Sequence, residues 1–381
     1  MGYPTIMAVA AERASLREKD RWEANFGAEE HFAIGVEEEL LLVHADNRLA
    51  DRGADAIEAA SPDQADLDGE LFKAMVESRS EPSPTAGAAV TALREARREL
   101  IGSGSRIIGA GAHPGAAADE GEIRGTPRYA FIKESLQGIL RTPICGQHIH
   151  VSMPDEATAI RAYNGIRTHV PLLNAIASNS PFWFGQDSGL ASARTAIFRS
   201  YPRAAMGPEF DDFDEFCRVT RQICIAGGIP DYTQIWWDVR LHPRLGTIEV
   251  RAADTQFDLR SAAAIAALVQ CLARIEAERD QGGIPAREAL AESCFQATRH
   301  GLDAKLIDRD GEAVPARVLG LRALELVAGE AGKFGCEDAL GHAATILEEG
   351  SGADLQRRVH AERGMDGLLE YLVTETARLH E

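Results

Sequence analysis

Gly35-Val36-Glu37-Glu38-Glu39-Leu40-Leu41-Leu42-Val43 sets three consecutive carboxylates inside a run that otherwise reads as a buried β-strand. Side chains alternate along a strand, so Glu37 and Glu39 share one face, about 7 Å apart, and Glu38 takes the other. At an effective dielectric of about 20, two such charges repel by about 2 kcal/mol. A fold gains nothing from that placement unless a cation lies between the carboxylates. A strand is therefore expected over residues 32–43, with Glu37 and Glu39 turned toward a metal. Glu38, on the opposite face, is expected to tolerate replacement by Gln far better than either neighbour.

Two further strand-like segments carry polar pairs at the same spacing: His148/His150 within 144–153 and Glu249/Arg251 within 247–252. Taken singly, the three pairs read as a solvated edge, surface or core histidines, and a cross-strand ion pair. Taken together they line a water-filled sheet surface with hard oxygen and nitrogen ligands plus a guanidinium, which suits Mg²⁺ or Mn²⁺ with phosphate. No thiolates cluster with them, so structural zinc fits poorly. Arg240 precedes the Glu249 strand by one turn, Arg194 follows the Gly-rich Gly185–Gly189, and Arg299 precedes His300-Gly301. Guanidinium groups of this kind suit phosphates and carboxylates, although each alone also reads as an ordinary surface arginine.

The chain has 381 residues and a net charge of −19, which argues against general binding to nucleic acid or anionic membranes. The six cysteines are scattered through apolar runs without a CxxC pair and are expected as buried free thiols in a reducing cytoplasm. No signal peptide or membrane span is expected. Residues 1–30 read as a polar extension with a short helix over 10–26. Residues 31–381 read as one catalytic domain with a helical C-terminal portion. Within it, strands are expected over 70–80, 106–111, 236–241 and 247–252. Helices are expected over 85–102, capped by Thr85, over 155–178, 261–277 and 364–379. Gly109-Ala110-Gly111 with Gly115 has the wrong spacing for a dinucleotide loop, and Pro114 stands where the helix should begin.

Six segments, in order, resemble the bacterial ATP-dependent carboxylate–amine ligases of the glutamate–cysteine ligase type 2 family. They are IGVEEELLLV (34–43), GQHIHVSMPD (146–155), NSPFWFGQDSGLASARTAIF (179–198), WWDVRLHPRLGTIEVRAAD (236–254), ATRHGLDAKLID (297–308) and GADLQRRV (352–359). His148-Ile149-His150, and Ile248 to Arg251 followed by Asp254, are similar to strand motifs of glutamine synthetase. The resemblance implies an α+β fold, an antiparallel sheet curved into a half-barrel with helices on its outer side. It implies Glu37, Glu39, Glu77, His148 and Glu249 as metal ligands. It sets His150, Arg240 and Arg251 against ATP phosphates, with the two arginines catalytic. Arg194, Arg128, Asn179 and Arg299 would serve the amino-acid substrate. The chain departs from the family around Gln147, Ser78–Pro82 and Gly189–Ser192, which bears on the amine acceptor and substrate pocket rather than on the metal and phosphate positions.

The activity implied is formation of an amide through an acyl phosphate, with ATP as co-substrate and Mg²⁺ or Mn²⁺. A glutamate-like acid and an amine such as cysteine would be joined, with weak glutamate–cysteine ligase activity. Two other readings stand beside it: a phosphotransferase on the same scaffold, and a non-catalytic protein binding ATP or an amino acid. A homodimer is expected.

Overall fold

The computed structural model describes residues 21–60, 65–280 and 282–379. The carboxylate stretch is the ten-residue strand β1 (Ile34–Val43), inside a seven-stranded antiparallel sheet. The order across the sheet is β2 (Ala65–Gly69), β3 (Met75–Ser80), β1, β5 (Gly146–Ser152), β9 (Thr247–Asp254) and β8 (Val239–His242). A short β4 (Arg106–Ile108) pairs with Leu41–Val43 of β1. The sheet is open, with β2 and β8 at its edges. Two small hairpins lie apart from it, β6 (Phe182–Trp183) with β7 (Gln186–Asp187), and β10 (Lys305–Ile307) with β11 (Ala313–Pro315).

The helices in chain order are α1 (Gly53–Ala59), α2 (Ala86–Gly102), α3 (Pro127–Leu136), α4 (Glu156–Arg167), α5 (Val170–Ile176) and α6 (Ala193–Arg199). They continue as α7 (Phe213–Gly227), α8 (Leu259–Glu276), α9 (Arg287–His300), α10 (Ala316–Phe334), α11 (Glu337–Glu349) and α12 (Gly352–Thr376). No described helix is long and apolar enough to cross a membrane. All six cysteines are buried and free, as their scatter suggested.

Alternation decides what each face of the sheet carries. Ile34 and Val36 of β1, Ile149 and Val151 of β5, and Ile248 and Val250 of β9 are buried in one apolar cluster with residues of α2, α4 and α8. Leu40 and Leu42 extend the same side of β1 into a smaller cluster with Leu100 of α2. Glu38 points to this helical side and would be an isolated buried charge without Arg97 of α2. The Arg97 Nε and Nη2 donate to its two oxygens at 3.0 and 2.6 Å, and Nη1 and Nη2 also reach the Phe257 and Gln256 carbonyls at 2.9 and 2.7 Å. Glu38 is 1% exposed and Arg97 0%. Glu38 is therefore off the metal face, but the expectation of easy replacement needs correction: Gln would leave a buried guanidinium without its counter-charge.

Several boundaries shift for identifiable reasons. The helix expected over 155–178 is two, because the chain turns at Thr168-His169 and Pro171, lacking an N–H, begins the second. The strand expected from Glu70 starts only at Met75, since 70–74 loop across the cavity described below. β8 begins at Val239 rather than Trp236, and β4 ends at Ile108. The glycines after β4 serve close packing: a Cβ on Gly109 would meet the Gln256 carbonyl at 2.4 Å, and one on Gly111 the Asp254 carboxylate at 2.6 Å. Of the helix expected over 10–26, residues 10–20 lie outside the described residues. Residues 21–26 are not helical, and they dock on the protein through Trp22, whose Nε1 donates to Thr220 Oγ1 at 2.8 Å.

Candidate active site

The uncovered face of the sheet collects the polar pairs into one row. Cross-strand register sets Glu39 opposite Glu77, Glu37 opposite His148, His150 opposite Glu249, and Glu249 opposite Arg240. His148 Nδ1 lies 3.0 Å from Glu37 Oε2, and His150 Nε2 lies 3.4 Å from Glu37 Oε1. The Glu249 carboxylate is shared by two arginines: Arg240 Nη2 at 2.5 Å from Oε2, and Arg251 Nη1 on Oε1. Ligand atoms of Glu37, His148 and Glu249 lie within 4.8 Å of one another, as do those of Glu39, Glu77 and His148. His148 is common to both groups.

Electrostatics divides the row. Burial works against the charge on Glu37, but the His150 and His148 rings outweigh it and hold the carboxyl well below its usual range. Burial likewise opposes the Glu249 charge, and Arg240 and Arg251 overcome it. Glu39 is pushed up to about 8, by burial first and the Glu70 charge second, with only partial relief from Arg194 and the Gly146 N–H. Glu77 is raised well above the carboxylate range by burial and by Glu37, Glu70 and Glu39. Burial and the Arg251 charge depress His148 to about 4, leaving a neutral imidazole able to ligate. Glu37 and Glu249 are thus balanced by the protein's own cations, whereas Glu39 and Glu77 are both pushed toward the protonated form, Glu77 despite Arg79 Nη1 at 3.3 Å, and a divalent cation would reverse that push. This donor set, carboxylate oxygens with one imidazole and no thiolate, fits Mg²⁺ or Mn²⁺.

The row forms the floor of a cavity of about 390 Å³. Arg194, Arg240 and Arg251 line it, and Arg128 stands exposed at its rim. Arg194 is buried, with Nη2 3.3 Å from the Arg251 carbonyl, and it fits only because residue 146 is glycine. A Cβ there would lie 2.2 Å from that same nitrogen. A second cavity of about 350 Å³ adjoins the other side of Glu37 and His150, lined also by Asn25, Glu81 and Arg244.

Two of the expected substrate residues are not brought to either cavity. Asn179 is 0% exposed and fully engaged: its Nδ2 donates to the Gly109 and Thr255 carbonyls at 3.1 and 2.7 Å, and its Oδ1 accepts from Gln356 at 2.8 Å. It pins α12 to the end of β9. Arg299 is exposed on the last turn of α9, away from the cavity lining. Conversely, Glu70, Tyr129, Tyr201, Trp236 and His242 line the cavity without having been singled out. Glu70 stands seven residues before Glu77, an odd separation that a continuous strand would put on the other face. The loop 70–74 cancels that alternation.

A β-bulge performs a similar correction on β9. Between Gln147 and Ile149 of β5, β9 carries one extra residue. Glu249 and Asp254 are five residues apart and would face opposite sides of a regular strand; the extra residue turns both to the open face. Asp254 accepts from Asn179 N, Ser180 Oγ and Ser192 Oγ at 2.8, 2.7 and 2.8 Å. Ser192 caps α6, and Ser180 Oγ accepts from Arg194 N at 3.1 Å, so Asp254 fixes the helix start that presents Arg194.

The family model for glutamate–cysteine ligase family 2 matches residues 33–375. A putative glutamate–cysteine ligase 2-3 of Rubrobacter xylanophilus is 38% identical over 369 residues, 93% of this chain and 100% of that protein. A glutamate–cysteine ligase of Haloferax volcanii is 35% identical over 354 residues, 90% of this chain and 96% of that one. The fold is similar to the crystal structure of glutamate–cysteine ligase from Francisella tularensis in complex with AMP. That match has a TM-score of 0.66 at 11% identity, covering 94% of this chain and 89% of that one. From the motifs to the open sheet and its acidic row, the observations agree, and the chain belongs to glutamate–cysteine ligase family 2.

Proposed function

We propose that this protein is an ATP-dependent ligase that joins the side-chain carboxylate of glutamate to an amine, cysteine being one acceptor, in the 390 Å³ cavity. The observation that carries this reading is the row itself, in which Glu39, Glu77 and Glu70 crowd one another beside an arginine pair on the floor of one cavity. Glu37, His148 and Glu249 would hold one Mg²⁺ or Mn²⁺ ion, and Glu39 and Glu77, with Glu70 alongside, a second. Bound there, the ions supply neutralisation of the charge on the transferring phosphoryl group.

The protein's own residues do the rest. Arg240 and Arg251, now on Glu249, are drawn to the phosphates of ATP, which frees Glu249 as a ligand. His150, donating to Thr247 or Glu37 in turn, orients toward the same phosphates. The nucleoside lies in the adjoining 350 Å³ cavity, and the amino acids lie in the larger one, where Arg194 and Arg128 hold carboxylates. The glutamate carboxylate attacks the γ-phosphorus, ADP leaves, and an acyl phosphate forms. The amine nitrogen then bonds to the acyl carbon as phosphate departs with its bridging oxygen, and the ammonium proton passes to a cavity carboxylate or water. Six buried unpaired thiols fit a reducing cytoplasm.

The test is release of ADP and phosphate from ATP with glutamate and cysteine, with and without Mg²⁺, and mass analysis of the product. An amide formed only with metal, ATP and both substrates supports the reading. A stable phosphorylated product in place of the amide replaces it with a phosphotransferase, and absence of turnover with retained ATP binding replaces it with a binding protein.

A further inference from the structure

Beside the charged row, the large cavity has a lining of another chemistry. Ile132, Leu136, Ile144, Phe198, Tyr201 and Trp236 line it. The Phe198 and Tyr201 rings meet edge-on at 5.8 Å, and Tyr201 and Trp236 at 6.4 Å, so the aromatic part is continuous. This wall is the cavity edge of an apolar cluster, and packing alone would account for its side chains. Packing does not account for two polar atoms set into it. Tyr201 Oη and Arg194 Nε are buried without a hydrogen-bond partner, on residues 7% and 3% exposed, and Arg194 makes no ion pair among the described residues. The Arg194 guanidinium lies 5.4 Å from the Phe198 ring centre. Leaving such donors unpaired costs free energy that a bound anion would recover.

Resting on the ligase reading, we propose that the amine acceptor is an amino acid with a branched or aromatic apolar side chain, larger than that of cysteine. Its carboxylate is held by Arg194 and Tyr201, and its side chain lies along the wall. Glutamate and the polyphosphate are polar throughout, and the arginines and carboxylates of the floor satisfy them, so neither uses this surface. On the same reading the nucleobase is assigned to the second cavity. An apolar wall reads size: each added methylene it covers changes kcat/KM by about tenfold or more, and a thiol gains no specific partner there. Tyr201 is a positioning and specificity residue in this scheme.

The experiment measures amide formation from ATP, Mg²⁺ and glutamate with alanine, cysteine, leucine and phenylalanine, and with phenethylamine, which lacks the carboxylate. Leucine or phenylalanine should exceed cysteine in kcat/KM by about tenfold. Tyr201→Phe should raise KM for phenylalanine several-fold, leaving KM for phenethylamine and for ATP unchanged, a split that a general structural defect would not produce. Trp236→Ala should abolish the preference for phenylalanine over alanine. Preference for cysteine overturns the inference, as does a Trp236→Ala effect confined to KM for ATP, which would seat the nucleobase on the wall. If no amide forms with any amine, the ligase reading itself fails. Calorimetry then decides the wall separately: phenylalanine binding no tighter than alanine overturns it.

Discussion

The two sides of β1 treat adjacent glutamates in opposite ways. On the helical side, Glu38 is buried against a guanidinium that meets both its oxygens, and Arg97 makes four hydrogen bonds inside the protein. On the open side, Glu39 receives one backbone N–H, from Gly146 at 2.5 Å, and faces Glu77 and Glu70. Composition is the same, and Glu39 is half-buried where Glu38 is fully buried. What differs is whether the fold supplies the counter-charge or leaves it to a ligand. A carboxylate with an internal partner is structural; carboxylates gathered without one make sense only when something binds.

Replacing Glu77 by Gln tests this most directly. Burial and three neighbouring carboxylates already disfavour its charge, and its one ion pair is to the partly exposed Arg79 at 3.3 Å, so the fold should change little, while turnover measured by ADP release should fall by about 100- to 1000-fold. Full activity would remove Glu77 from the site. Glu38→Gln should do the reverse, costing about 3 kcal/mol or more in chemical denaturation while the folded fraction keeps its kcat. Glu249→Gln belongs to both classes, because it leaves Arg240 and Arg251 facing each other: both activity and melting temperature should drop.

A smaller effect follows from pH. A carboxyl raised in the folded state keeps its proton after the unfolded chain has lost it, so stability falls as pH rises toward the folded value. Between about pH 7 and 8 Glu39, raised to about 8, contributes in this sense, and Glu77, Glu70 and His150, also raised, act in the same direction. His148 and His242, both depressed to about 4, are neutral in the folded state and nearly so in the unfolded chain, so they add only a small opposing slope close to pH 7. Stability without metal should therefore weaken by about 1 kcal/mol or more per pH unit across that interval, and saturating Mg²⁺ should flatten the slope. A flat metal-free profile would contradict the protonated half of the row. The smallest effect is expected for Arg299→Ala, which should change KM for glutamate and the amine by less than about twofold, since the residue is exposed outside the cavity.

The floor of the site was legible before any coordinates because it rests on period-two alternation. Glu37/Glu39, His148/His150 and Glu249/Arg251 each lie within a regular strand interval, and the register joins them. The helix capped by Thr85 was equally legible, its cap being local: Thr85 accepts from Ala88 N at 3.2 Å. Expectation failed where a residue's neighbour is remote in sequence. Asn179 lies in a family motif and looked like a pocket residue, yet its partners are Gly109, Thr255 and Gln356. Arg97 gave no sign on its helix that it would be buried against Glu38. Tyr201 and Trp236 look like ordinary core aromatics, and only the packing turns their edges to a cavity.

By itself, then, the sequence determined the strands, the face that each acidic or imidazole side chain takes, and the ligand chemistry that those faces can support. These follow from backbone geometry that acts over two to four residues. The tertiary structure alone decided which strand lies beside which and that a bulge turns Asp254 onto the open face to seat Arg194. It also decided that the 70–74 loop adds Glu70 to the acidic group and that an apolar wall lines the same cavity. Each of those depends on contacts between segments far apart in the chain, whose burial and register no local pattern encodes.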